Sequence, residues 1–160
     1  MNSYPHLFSP IKVGGLTLKN RIEAPPTSFM DASPEGMMQD KTLDFYRMRA
    51  RGGTALITLG EAYVDPERGL AHPCDLRLFE PLNMPGLVKA AEAIKQYGAV
   101  PSIELLHPGQ RSDVTMNRSG KAYGPSPVDK IFAYDHPVYE MTEEMILDII
   151  CLYGEAAVFA

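Results

Sequence analysis

Residues 40–59 read D-K-T-L-D-F-Y-R-M-R-A-R-G-G-T-A-L-I-T-L, and this stretch decides the fold class. Asp40 is placed to cap a helix over Lys41–Arg51, with Leu43, Tyr46 and Ala50 on one face. Gly52-Gly53 ends that helix. Ala55–Leu59 then runs almost unbroken in apolar residues, the pattern of a strand buried on both faces of a parallel sheet. A helix that stops on glycine and gives way to a buried strand is one link of an alternating β/α chain.

The same alternation extends in both directions. Upstream, Ile11–Val13 and Leu16–Leu18 flank Gly14-Gly15, which predicts a hairpin. Asn20–Ala24 is short and extended and must stop at Pro25-Pro26, because proline cannot continue a central strand. Residues 31–39 read as loop. Downstream, a loop from Tyr63 to Asn83 precedes a helix marked by Leu87, Ala91 and Ile94, with Pro85 in its first turn and Gly98 past its end. Val100–Leu106 is a third strand, followed by a long polar loop from His107 to Glu140. Thr142 caps a last helix, and Glu143 and Glu144 favour its positive end. Met141 and Ile146 are spaced as a staple, and Ile146, Ile149, Ile150, Tyr153 and Ala157 form the expected buried stripe. Gly154 interrupts that stripe at a cost of about 1 kcal/mol relative to Ala.

A hairpin followed by three βα units implies an α/β fold with a parallel sheet and right-handed crossovers. Three units do not close an eight-stranded barrel, which takes about 250 residues. The expectation is therefore that residues 1–160 are the N-terminal portion of a larger domain, cut before its fourth strand. An open three-stranded doubly wound fold is the alternative, and it would leave two apolar strand edges exposed.

Composition narrows the function. The hydrophobic fraction of 45% supports a packed core, and the net charge of −5 argues against a nucleic-acid surface. Arg47, Arg49 and Arg51 read as a solvated helix end beside Asp44. No apolar run is long enough to span a bilayer, and the opening MNSYPHLFSP lacks the regions of a signal peptide. Cys74 and Cys151 sit in no CxxC arrangement and read as free thiols, with no metal site implied. Together these features predict a soluble cytoplasmic protein, with neither nucleic acid nor membrane as partner.

In parallel α/β folds, ligands bind beyond the carboxyl ends of the strands. Three segments qualify: Ala24–Ser28, Gly60–Glu61, and Glu104 with His107–Arg111. Neither GxGxxG nor GxxxxGK[ST] follows a strand, so neither dinucleotide fingerprint is present. Ala24-Pro25-Pro26-Thr27-Ser28 offers a rigid backbone and two hydroxyls, suited to the edge of a flat ligand. The competing reading is a turn in which Thr27 and Ser28 bond their own backbone. Glu104 is costly within a strand unless paired, either with a ligand or with a base such as Arg21. His107 on its own reads more readily as a packed loop histidine than as a catalytic one.

Several ordered motifs carry a resemblance. Leu7-Phe8-Ser9-Pro10, Gly14-Gly15, Leu18, Asn20-Arg21 and Pro26 come first. Ile103-Glu104-Leu105-Leu106-His107-Pro108-Gly109-Gln110 follows, then Gly124-Pro125-Ser126-Pro127 and Glu140-Met141-Thr142-Glu143-Glu144. This ordered set resembles the old yellow enzyme (NADH:flavin oxidoreductase) family over essentially the whole chain. The resemblance implies a TIM (β/α)8 barrel, here its N-terminal hairpin and first three βα units, with FMN as cofactor and NAD(P)H as reductant. It implies that Pro26, Thr27 and Ser28, at the end of the Ala24–Ser28 edge, lie along the N5/O4 side of the flavin. Gly60 or Glu61 would pack near its pyrimidine part, and Glu104 would face N3–H and O2, where many members carry glutamine. Met30, His107, Gln110 and Arg111 would line the entrance.

The departures from the pattern are informative. Ser28 stands where an amine-dehydrogenase branch links its flavin through cysteine, so that covalent bond is excluded. Met30 stands where some ene-reductases carry a substrate-facing tyrosine. Glutamate at 104 is tolerated in the amine-dehydrogenase and multidomain reductase branches, so the resemblance is to the 2,4-dienoyl-CoA reductase and amine dehydrogenase-like side of the family. The expected activity is hydride transfer from NAD(P)H through FMN to an enoate or enoyl thioester. Amine oxidation in the same barrel is the alternative. The catalytic histidine pair and the phosphate site are expected beyond Ala160, so the isolated 160-residue chain is expected to be an inactive structural piece that binds FMN weakly or not at all. A longer native chain of the multidomain kind would add a 4Fe-4S cluster and FAD. The remainder of the barrel is the expected partner, and a homo-oligomer is compatible with the sequence.

Overall fold

The computed structural model describes residues 4–27, 31–131 and 134–160. The hairpin forms as expected: β1 (Ile11–Val13) and β2 (Leu16–Leu18) pair antiparallel, with Ile11 opposite Leu18. The chain then turns into β3 (Glu23–Ala24) through Asn20. That side chain donates to the Gly53 carbonyl at 2.8 Å and accepts the Ile22 N–H at 3.0 Å, tying the start of β3 to the turn after the first helix.

Helix α1 (Asp40–Arg51) buries Thr42, Leu43, Tyr46 and Ala50. Its N-cap is Gln39, not Asp40, and no side chain caps it. Asp40 lies one position inside, where its carboxylate still favours the positive helix end. Two of the three arginines have local partners: Arg47 pairs with Asp44, and the Arg49 guanidinium lies 3.2 Å over the Phe45 ring.

The central strand is β4 (Leu56–Tyr63), flanked in parallel by β3 and by β6 (Val100–Leu106). Sequence patterning ends this strand at Leu59, but it runs on through Gly60 and Glu61 to Tyr63. The loop that follows is not featureless. Within it, β5 (Leu76–Arg77) adds in parallel to the end of β4, and a short 3₁₀ turn (Pro81–Asn83) leads into α2 (Met84–Lys95). Helix α2 buries Leu87, Ala90, Ala93 and Ile94. The core lies where α1 and α2 meet one face of the sheet, around Leu43, Tyr46, Ile57, Leu59, Leu87 and Ile94.

The segment after β6 also carries structure that patterning misses. A 3₁₀ turn spans Gly109–Arg111, and β7 (Ala122–Gly124) pairs in parallel with β8 (Val138–Glu140). Three residues per strand are too few to show a period. Helix α3 (Glu143–Phe159) is capped by Thr142, whose hydroxyl accepts the Met145 N–H at 3.2 Å. The expected stripe is corrected: Ile146 and Ile150 are 46% and 61% exposed, and Ala156 is the buried residue of α3. Apolar residues ring most of this helix, so the pattern alone does not single out the face that meets the core. Among the described residues no helix is long and apolar enough to cross a membrane, and both cysteines are free.

Candidate functional site

The three segments expected to form a site meet at Gly60. A Cβ built there would lie 2.7 Å from Pro26 Cβ, 3.0 Å from Glu104 Oε2 and 3.0 Å from the Thr27 backbone N. Only glycine lets the first strand end, the second and the third approach this closely. The approach coincides with an irregularity in β4. Leu59 pairs with Ile103 and Ala62 with Leu105, so one extra residue of β4 is accommodated at Gly60–Glu61. Bulges bend a strand and re-aim side chains, often beside functional sites.

Ala24 is half-buried at the end of β3, and Pro25 and Pro26 follow it. The Thr27 hydroxyl donates to the Pro25 carbonyl at 3.3 Å, so the local-turn reading holds for that side chain. Ser28 and Met30 lie outside the described residues. Arg21 does not partner Glu104; its Nε bonds Ser9 Oγ at 3.2 Å. No ion pair reaches Glu104 among the described residues, so a half-buried carboxylate faces the site without a cation.

Glu61 joins Glu104 there. Burial first, and then the Asp75 carboxylate, push the Glu61 carboxyl up; His72 opposes this and Glu104 adds to it. Asp75, 3% exposed, accepts the Tyr63 hydroxyl at 3.0 Å, while Tyr63 Oη accepts the His72 backbone N–H at 3.2 Å. Burial, and then Asp75, raise the Tyr63 phenol far above its ordinary range, so it stays a donor. Glu61, His72 and Asp75 bring their donor atoms within 4.8 Å of one another. On the other side of Gly60, burial raises the Tyr46 phenol, and the Gly60 backbone N–H draws it back down. Sequence reasoning missed His72 and Asp75, which sit in a loop and meet Glu61 only through the β5 pairing.

His107 differs from the other entrance residues. Its side chain is 6% exposed and both ring nitrogens are engaged: Nδ1 accepts the Gly109 N–H at 3.0 Å and Nε2 lies 3.3 Å from Asp65 Oδ2. Gln110 and Arg111 are exposed on the adjoining turn. Asp65 is fully buried. Burial opposes its ionisation, yet the His107 bond, the Arg68 side chain and backbone N–H groups hold its carboxyl down at about 2. Sequence reasoning also missed Asp65, for which Asp65-Pro66-Glu67-Arg68-Gly69 gives only a turn signal.

Comparison with known proteins gives the family and the fold. The family profile described as NADH:flavin oxidoreductase / NADH oxidase matches residues 6–160. The chain is 35% identical over 160 residues to the NADH oxidase of Thermoanaerobacter brockii, covering 100% of this chain and 24% of that protein. It is 32% identical over 152 residues to the NADPH dehydrogenase of Bacillus licheniformis, covering 94% of this chain and 43% of that protein. It thus spans about a quarter of the first relative's length and less than half of the second's. Among solved structures, a 2-naphthoyl-CoA reductase complexed with 2-naphthoyl-CoA superposes with a TM-score of 0.89 at 26% identity, over 98% of this chain and 25% of that one. Old Yellow Enzyme from Pichia sp. AKU4542 gives 0.85 at 25% identity, over 96% and 42% respectively. The architecture is that of the opening units of a TIM barrel.

Proposed function

The chain belongs to the NADH:flavin oxidoreductase / NADH oxidase family, and we propose that residues 1–160 form the N-terminal portion of its FMN-binding barrel domain, with the first part of the flavin site. The observation that carries this reading is the convergence of Pro26, Thr27 and Glu104 on Gly60. A flat heteroaromatic ring needs close backbone approach, a rigid wall and polar groups at its edge. The Gly60 backbone, the Pro25-Pro26 turn, the Thr27 N–H and the Glu104 carboxylate offer these in one place.

Bound FMN supplies hydride transfer between NAD(P)H and an activated alkene of the enoate or enoyl-thioester class. The residues of this chain bind and orient. Ala24–Thr27 set one edge of the ring site, Glu104 accepts from a ring N–H, and Glu61 lies at the bulge between them. Gln110 and Arg111 present polar groups at the entrance from the turn that His107 anchors. In a longer chain, a 4Fe-4S cluster and FAD would follow the barrel. Oxidation of an amine is a second reading, favoured by one feature: Glu61, Asp75 and Glu104 make this mouth acidic, which suits a cationic substrate.

The test is FMN content and turnover of the full-length protein. The expected result is one FMN per chain and NAD(P)H-dependent reduction of crotonyl-CoA or 2-cyclohexenone, with Gly60→Ala losing most of the FMN. Turnover of amines with an artificial electron acceptor, and none of alkenes, selects the second reading. A folded full-length protein without FMN overturns both.

A further inference from the structure

The end of β4 and the turn after β6 are stapled together at one buried carboxylate, for which the flavin reading has no use. Asp65 Oδ1 accepts the N–H groups of Glu67 at 2.8 Å and Arg68 at 3.2 Å. Its Oδ2 accepts Arg68 Nε at 2.7 Å and faces His107 Nε2 at 3.3 Å. Arg68 continues the link to Asp148 of α3, with Nη1 3.5 Å from the carboxylate. Ser112, fully buried, closes the other side, its one hydroxyl proton facing the carbonyls of Arg68 and Gly109 at 2.6 and 2.7 Å.

The geometry fixes the form of the imidazole. A backbone N–H can only donate, so the Gly109 contact requires a bare lone pair at His107 Nδ1. The remaining proton then sits on Nε2 and points at Asp65. Imidazolium, or the opposite tautomer, would set an N–H at Nδ1 against the N–H of Gly109. Gly69 keeps the ring in this place. A Cβ there would lie 2.9 Å from His107 Cδ2 and 3.0 Å from Nε2.

We propose that Asp65 is a positioning residue for substrate entry: by accepting the His107 Nε2–H it reserves Nδ1 for Gly109, and so fixes the turn that carries Gln110 and Arg111. The proposal rests on the reading of that turn as the entrance to the flavin site. It assigns His107 no acid–base role, since neither ring nitrogen is free to exchange a proton with a substrate. The carboxylate acts only through the ring and the turn.

The full-length holoenzyme tests this with two unrelated variants. Asp65→Asn turns an amide N–H toward His107 Nε2 or loses the acceptor for Arg68; Gly69→Ala leaves every charge in place and displaces the ring. In the wild type, ¹⁵N spectra of His107 should show a protonated Nε2 and a bare Nδ1. In both variants the Gly109 amide should exchange with solvent at least tenfold faster. KM for crotonyl-CoA or 2-cyclohexenone should rise about tenfold, while kcat and the flavin absorption spectrum stay within twofold and unchanged respectively. A protonated Nδ1 in the wild type overturns the proposal. So does faster exchange in both variants with KM unmoved, which would make the staple merely structural. If neither alkene turns over, the substrate reading fails, and the tautomer and exchange data still decide whether Asp65 fixes the turn. If Asp65→Asn does not fold, Gly69→Ala carries the same test.

Discussion

Glu61 and Asp65 sit four residues apart where β4 runs into its loop, yet their carboxylates live in opposite electrostatic worlds. Asp65 is fully buried and held down at about 2 by His107, Arg68 and two backbone N–H groups, which together overcome its desolvation. Glu61 is less buried but is pushed up, by burial and by the like charge of Asp75. The difference shows what each carboxylate is for. A buried charge that is fully paired holds loops in place. A carboxylate pushed up by burial and like charges, with His72 as the opposing influence, is a candidate for a functional role. Glu61 belongs to the bulge at Gly60–Glu61, and Asp65 follows the end of β4 four residues later.

The largest effect expected from breaking this contrast is on the paired side. Asp65→Ala leaves the Arg68 side chain, 11% exposed, without its main partner and strips two backbone donors of their acceptor. Removing one member of such a buried pair costs about 3–5 kcal/mol. Urea unfolding of the full-length protein should show that loss. The pH dependence has a definite sign. A carboxyl whose pKa is lowered on folding, here from 3.8 to about 2, stabilises above its unfolded value. That contribution disappears as pH falls through the folded value, so the wild type should lose it between about pH 4 and pH 2. The Asp65→Ala variant should lack that step.

The junction itself comes next. Gly60→Ala places a methyl 2.7 Å from Pro26 Cβ and 3.0 Å from both Glu104 Oε2 and Thr27 N. Two of these neighbours belong to a proline-stiffened backbone that cannot yield easily. Overpacking of this kind costs about 1–3 kcal/mol. FMN retention after gel filtration should fall further than this stability loss explains, because the methyl would intrude on the proposed ring site. Equal stability and full FMN content would place the convergence at Gly60 outside the site.

These two sides of the comparison were unequally legible in the sequence. The hairpin, the end of β3 and the cap of α3 follow from local signals: a glycine pair, a proline stop and a threonine before acidic residues. Ala24–Thr27, Gly60 and Glu104 were readable as candidates because each lies at the carboxyl end of an apolar strand. The length of β4 was not, because Gly60 and Glu61 are poor strand formers and belong to a bulge imposed by β3 and β6. The Asp65 staple was illegible for a different reason. Its members come from residues 65–69, 107–112 and 148, and only the packing of two loops and a helix brings them together. The face of α3 was misread because a helix apolar nearly all round has no single stripe to find.

A smaller effect is expected at Glu104, which tests the unpaired side through the flavin rather than through folding. Glu104→Gln removes a negative charge that opposes reduced, anionic FMN. At an effective dielectric near 20, one charge several ångströms away is worth on the order of 1–2 kcal/mol after partial screening. That corresponds to a rise of roughly 20–40 mV in the midpoint potential of a two-electron couple. Spectroelectrochemistry of the full-length protein measures it. An unchanged or lowered potential would mean that Glu104 does not face the ring.

The smallest effect belongs to Glu61, and it sharpens the comparison because its sign opposes that of Asp65. A carboxyl whose pKa is raised on folding binds its proton more tightly in the native state. Its stabilising contribution is therefore greatest at low pH and is lost as pH rises from its unfolded value, 4.5, through the raised folded one. At neutral pH the ionised group sits beside the Asp75 and Glu104 charges as a net penalty. Glu61→Gln removes that penalty while keeping size and polarity. The variant should be more stable than wild type at pH 7, by less than about 1 kcal/mol given solvent screening at a half-exposed site. Below about pH 4.5 the gain should vanish, since both proteins then carry a neutral group. Paired urea titrations at pH 4 and pH 7 read this difference. A variant less stable at pH 7 would show that Glu61 is held by a favourable partner after all, and the contrast with Asp65 would collapse into two structural carboxylates four residues apart.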